Sequence, residues 1–254
     1  MCVAALAWHA HPRWRLVAIG NRDEYHQRPA APLARWDADV NGGSGIIAGR
    51  DLVGGGTWLG VTDAGRFALI TNRRGFGNPD PALRSRGELV SALLSGDDLR
   101  AALDAYNPFN LLAVAGDTLE YLTNQPEPLR TTLGHGIYGL SNSALDEPWP
   151  KTLALKAAVT DWQNVEGEDI ASLSAILASE DRPALGLSAA QASDIAIEPR
   201  DTPPFIRGPV YGTRCSTVVT VAANGAGKIV ERSFSASGEG IGQTRIDFAW
   251  PVPH

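Results

Sequence analysis

The sequence predicts an α+β fold in which two antiparallel sheets stack and helices cover them. Three observations carry this. Short apolar runs come in pairs across Gly- or Asx-containing turns, the pattern of antiparallel hairpins. Helical periodicities fall in pairs between the hairpins, which excludes a wound parallel sheet. No linker divides the 254 residues, so a single domain over 1–254 is expected.

Taken in order, Val3–Trp8 and Arg15–Ile19 are expected as strands joined by the turn at 9–13, and Ile46–Ala48 as a short apolar piece. Thr57–Val61 and Arg66–Thr71 flank Thr62–Gly65, Asn110–Ala115 and Thr118–Thr123 flank Gly116–Asp117, and Thr217–Ala222 and Lys228–Phe234 flank Asn224–Gly227. Ile137–Ser141 and Ile246–Trp250 add single strands. Ser85–Leu94 places Leu89, Val90, Leu93 and Leu94 on one helical face. Asp97–Tyr106 opens on acidic residues, as a helix start does. Pro150–Trp162 has Pro in a first-turn position, with Leu155, Val159 and Trp162 on one face. Ile170–Ala178 is a fourth helix, and 180–209 reads as mostly loop. Gly54–Gly56 precedes a strand rather than a helix, so it reads as a tight turn and not as a phosphate cradle.

Composition narrows the function. The 22 Lys and Arg against 28 Asp and Glu give a net charge of -6. An acidic chain without a basic block is not built for nucleic acid. No apolar run approaches the roughly 18 residues of a membrane span, and the N-terminus lacks the basic region of a secretory signal. Two cysteines, Cys2 and Cys215, form neither a disulfide framework nor a CxxC metal site, and a reducing, cytoplasmic setting is expected. No metal-binding motif is present.

Cys2 is the most informative residue. Removal of the initiator Met would give it a free α-amine, whose ordinary pKa of about 7.7–8.0 suits a general base. Thiol and base would then share one residue, the N-terminal nucleophile device. Asn21, Arg22, Asp23 and Glu24 follow the second strand. If residues 3–8 and 15–19 form a hairpin, these four lie beside Cys2, where an arginine lowers a thiol pKa and a carboxylate orients it. Asn72, Asn142 and Arg214 each stand at the end of an apolar run and suit the same pocket, the Asn side chains as oxyanion donors. Tyr25, Trp36 and Trp58 are candidates for its apolar lining.

These residues carry a resemblance. Met1–Cys2, Asn21–Glu24 with Arg28–Pro29, Gly49–Asp51, Gly56–Gly60, Thr71–Asn72 and Ser85–Gly87 recur in order in the NRDE, or transport and Golgi organization protein 2, family. So do Asn107–Asn110, Leu140–Ser143, Pro148–Lys151 and Tyr211–Arg214. The family is similar to the cysteine N-terminal nucleophile hydrolases, among them penicillin V acylase and bile-salt hydrolase. That resemblance implies a four-layer αββα sandwich with Cys2 as nucleophile, Arg22 and Asp23 beside it, Asn72 and Asn142 around the oxyanion, and Arg214 as a later arginine. The acylases separate their Arg and Asp by two residues, so Glu24 stands as the alternative to Asp23.

The function expected is hydrolysis of a linear N-acyl amide, with no cofactor required. The rival is a non-enzymatic carrier of haem or an acyl lipid in the same pocket, as family links to lipid metabolism and haem trafficking imply. In that case His9, His11, His26 and His135 are the candidate axial ligands.

Overall fold

The structure is a computed structural model that describes residues 2–36, 45–97, 103–165, 169–181 and 201–252. Its first sheet has the order β10 (Gly136–Leu140), β1 (Cys2–His11), β2 (Trp14–Tyr25), β11 (Tyr211–Ala222), β12 (Ala226–Phe234), β13 (Gly240–Ala249). The second is a meander of β3 (Ala30–Arg35), β4 (Ile46–Asp51), β5 (Leu59–Thr62), β6 (Arg66–Asn72), β7 (Phe109–Ala115), β8 (Thr118–Thr123) and β9 (Leu129–Leu133). Every pairing in both sheets is antiparallel.

The alternation of β1 divides the core. Ala4, Leu6 and Trp8 join Leu16 and Ala18 in the cluster shared with the second sheet. Val3, Ala5 and Ala7 turn the other way, onto Leu155, Val159 and Trp162 of α2 (Pro150–Asn164) and Leu173 and Leu177 of α3 (Ala171–Leu177). A strand covered on both faces has no polar side, so β1 reads as one apolar run. The remaining helix, α1 (Arg86–Ser95), packs on β4, β5 and β6. Gly60 makes room for it, since a Cβ there would stand 2.8 Å from Leu94 Cδ1. Gly96, at φ 100°, closes the helix in the left-handed conformation that favours glycine. The layers run helix, sheet, sheet, helices, the αββα sandwich.

Three expectations need correction. β2 does not stop at Ile19 but continues to Tyr25, so Asn21–Glu24 lie inside a central strand. The Asn21 side chain is satisfied there: it donates to the carbonyls of Leu177 (2.7 Å) and Pro204 (2.8 Å) and accepts from Ser216 Oγ (2.6 Å). β3 and β9 were not expected as strands. Both are edges, β3 carries Pro32 and buries only Leu33, and β9 is mostly exposed, so neither shows apolar alternation. Of the helix expected over Asp97–Tyr106, residues 98–102 lie outside the described residues, and Leu103–Ala105 form a single 3-10 turn.

Candidate active site

Cys2 opens β1, and the register of the first sheet sets its neighbours. It pairs with Arg22 on β2, and Arg22 pairs on its other side with Cys215 on β11. A cavity of about 730 Å³ opens over this row, within the size range of small-molecule sites. Cys2, Arg22, Asp23, Arg214 and Cys215 line its first-sheet wall; Trp58, Ile70 and Asn72 line the second-sheet wall. Burial and then the Asp23 carboxylate push the Cys2 thiol up from its ordinary value, while Arg22 and the backbone N–H of Asp23, which hydrogen-bonds the sulfur, pull it down. Cys215 is pushed well above, first by burial and then by Glu231 beside it.

Arg22 is held by carboxylates on two elements. Its Nη2 is 3.2 Å from Asp51 Oδ2 and 3.7 Å from Glu24 Oε2, and Arg28 Nε reaches the same Asp51 oxygen at 2.7 Å. The other Asp51 oxygen accepts the N–H groups of Val53 (2.9 Å) and Gly54 (3.0 Å) in the turn after β4. Burial raises the Asp51 carboxyl, but the Arg28 hydrogen bond and these N–H donors outweigh it and hold it below the usual carboxylate value. Arg22 Nη1 is buried without a hydrogen-bond partner. The two-on-two network thus fixes the guanidinium next to Cys2 and leaves one of its nitrogens unengaged.

Asp23 accepts from Thr213 Oγ1 at 2.7 Å. Burial raises its carboxyl, and Lys151 at the start of α2 opposes that rise. Lys151 is fully buried and donates to Thr202 Oγ1 at 2.9 Å. Arg214 donates through Nη1 to the carbonyls of Tyr25 (3.0 Å) and His26 (2.8 Å), which ties the end of β2 to β11. Asn72 ends β6 with its side chain on the cavity wall, and its carbonyl accepts Asn142 Nδ2 at 2.9 Å. Ser141, preceding Asn142, donates to the carbonyl of Cys2 at 2.8 Å. Asn142 therefore lies just behind the wall, bonded to Asn72, and is not itself among the lining residues.

Of the residues picked from sequence, Cys2, Arg22, Asp23, Glu24, Trp58, Asn72 and Arg214 share the cavity. Tyr25 and Trp36 do not line it. Tyr25 is half exposed and packs edge-on against Tyr211, because it falls at the end of β2, beyond the covered part of the sheet. Trp36 donates Nε1 to the Ala48 carbonyl and lies under Arg50. None of His9, His11, His26 and His135 lines the cavity. His9 and His135 stack on each other at the far end of β1, and His26 Nε2 contacts the Gly208 carbonyl. Among the described residues no group of three His, Cys, Asp or Glu could hold a metal, and no helix is long and apolar enough to cross a membrane.

Sequence reasoning gave no site role to Arg28, Asp51, Arg86 and Glu231, all of which line the cavity. The first three fall in the pieces Arg28–Pro29, Gly49–Asp51 and Ser85–Gly87, so the recurrence of those pieces was the available signal. Glu231 gave none: it sits mid-strand in β12 and becomes a site neighbour only through the pairing of Thr217 with Glu231.

The chain is 33% identical to the Homo sapiens Transport and Golgi organization protein 2 homolog, covering 92% of this chain and 93% of that one. It is 32% identical to the Bos taurus homolog, with 93% and 94% covered. Among solved structures it is similar to a Caenorhabditis elegans N-acylethanolamine-hydrolyzing acid amidase ortholog, at 10% identity and a TM-score of 0.47, covering 85% of this chain and 92% of that one. The sequence model for Transport and Golgi organisation 2 matches residues 1–236, and the chain belongs to that family.

Proposed function

We propose that the protein is an N-terminal nucleophile hydrolase that cleaves a linear N-acyl amide with Cys2. The observation that supports this most is the position of Cys2: second residue of the chain, first of a central strand, with its thiol on the floor of a ligand-sized cavity beside Arg22. Loss of Met1 puts the α-amine next to the thiol. The amine takes the thiol proton, and the sulfur attacks the amide carbonyl. The electron pair of the C=O bond moves to oxygen, which becomes an oxyanion. Collapse reforms the carbonyl and breaks the C–N bond. The nitrogen leaves with the proton returned by the α-amine, and a thioester remains on Cys2. Water, deprotonated by the same amine, hydrolyses it.

Among the described residues the Asn72 side chain makes no hydrogen bond, and in this reading it donates to the oxyanion, with Asn142 fixing the Asn72 backbone. Arg22 keeps a positive charge beside the sulfur, and Asp23 is the carboxylate that acts on the thiol. Trp58, Ile70, Phe234 and Ile241 offer the acyl group an apolar wall. The test is the intact mass of the native protein, to establish loss of Met1, followed by turnover of N-acyl amides by the native protein and by Cys2→Ala. Turnover by the first and none by the second supports the reading. Haem or acyl-lipid binding without amide turnover, in protein that lacks Met1, would favour the carrier.

A further inference from the structure

One wall of the cavity is built around the start of α1, through a contact that only glycine permits. A Cβ on Gly56 would lie 2.3 Å from the carbonyl carbon of Gly87, and one on Gly87 would lie 3.1 Å from Thr57 N. Thr57 N–H donates to the Gly87 carbonyl at 3.3 Å. Gly56 and Gly87 thus press the first turn of α1 against the chain entering β5, and this fixes Arg86, the first helical residue, on the wall.

Arg86 differs from the other guanidiniums that line the cavity. Arg22 and Arg28 share Asp51 and Glu24, and Arg84 is bound to Glu88. Arg214 is engaged by backbone carbonyls, and Arg50 lies flat over Trp36. Among the described residues Arg86 has one hydrogen bond, from Nη1 to the Pro108 carbonyl at 3.0 Å, and no carboxylate within ion-pair distance. Burial pulls its pKa below the ordinary guanidinium value, and Arg28 adds to that; Cys2 and then Glu24 oppose it, yet neither pairs with Arg86 directly. The Ser85 hydroxyl beside it caps nothing in the helix and also faces the cavity.

A partly buried guanidinium with no carboxylate paired to it gains from an anion that offsets its desolvation, and an arginine presents a fork that fits a carboxylate with two parallel hydrogen bonds. We propose that Arg86 binds a carboxylate on the amine side of the substrate, so that the preferred ligand class is N-acyl amino acids rather than neutral N-acyl amides. The proposal rests on the hydrolase reading for which side of the ligand is anionic. The carboxylate recognition itself does not need turnover.

The experiment therefore reads binding and turnover separately. In the Cys2→Ala background, the affinity for an N-acyl glycine and for the matching N-acyl glycinamide is measured by calorimetry, with Arg86 intact and as Arg86→Gln and Arg86→Lys. The glycine compound is expected to bind at least ten-fold tighter than the glycinamide. Arg86→Gln should reduce that ratio about ten-fold, and Arg86→Lys should retain a preference for the charged ligand. With Cys2 restored, the ratio of kcat/KM values for the two compounds should change in the same direction. Equal affinities with Arg86 intact, or a ratio unchanged in both Arg86 variants, would overturn the proposal. Selective binding without turnover would leave Arg86 as the carboxylate site and overturn the hydrolase reading instead.

Discussion

Cys2 stands directly opposite Arg22 in the β1–β2 ladder, and Cys215 stands opposite the same arginine from β11. One guanidinium therefore separates the two thiols of the chain. Both are buried, burial raises both, and each has a carboxylate that adds to the rise, Asp23 for Cys2 and Glu231 for Cys215, but Cys215 is raised further. Limiting iodoacetamide on the native protein is expected to label Cys2 first, as peptide mapping would show. Preferential labelling of Cys215 would contradict the arrangement.

The same pair sets a pH dependence. Arg22 lowers a thiol that burial has raised, so replacing it with Ala moves the Cys2 pKa further up. Less thiolate is then present at any pH below that value. The alkylation rate of Cys2 at pH 7 should fall several-fold in Arg22→Ala, and the midpoint of its pH profile should move upward. A midpoint that stays in place or moves down would show that Arg22 does not act on the sulfur.

Asp51 joins the turn after β4 to the site. Its folded pKa lies below the ordinary carboxylate value, so its stabilisation is present above pH about 4 and is lost as the pH falls through the folded value. Asp51→Asn keeps the shape but removes the charge from bonds to two arginines, which should cost about 2–3 kcal/mol at neutral pH. Urea unfolding at pH 7 and at pH 3 measures this. The deficit should shrink at the lower pH, because the native carboxylate is then itself being protonated.

Gly56 against Gly87 is a backbone-to-backbone contact, so neither side can yield by a rotamer change. Gly56→Ala is expected to cost about 3 kcal/mol, at the upper end of overpacking effects, and to move the start of α1. Thermal unfolding tests the first part. A substitution at Gly55, where nothing lies within 4 Å of an added Cβ, meets no such contact, and any cost there comes from its φ of 73° alone.

The two asparagines should separate in kinetics. Asn72→Ala removes the side chain on the cavity wall and should lower kcat about a hundred- to a thousand-fold on an N-acyl substrate. Asn142→Ala removes the bond to the Asn72 carbonyl and a long one from the Ser141 hydroxyl, but no side chain on the cavity wall, so its effect should be smaller. The reverse order would make Asn142 the donor.

What the sequence made legible follows from burial. β1 and β2 are central strands covered on both faces, and their apolar runs placed the hairpin correctly, which in turn placed Arg22 beside Cys2. The edges β3 and β9 lack that covering and carry no pattern strong enough to read. The site divided in the same way. Residues at the ends of apolar runs, such as Asn72, lay where the runs pointed. Tyr25 and Trp36 were chosen for residue type, and type does not say which way a strand end turns. Asp51 and Glu231 reach the cavity through a turn and a cross-strand register, both of which depend on pairing far apart in sequence. Arg86 depends on a two-glycine contact between Gly56 and Gly87, visible only once the chain entering β5 and the start of α1 are side by side.

The central claim is that Cys2 is the acylated nucleophile. Native protein shown by intact mass to begin at Cys2 is mixed with an N-acyl amino acid, quenched in acid within the first turnovers, and its mass and peptide map recorded. The account predicts a mass increase of one acyl group, located on the N-terminal peptide, labile to hydroxylamine and absent in Cys2→Ala. Turnover with the adduct on Cys215 or on no cysteine, or turnover that survives Cys2→Ala, would contradict it.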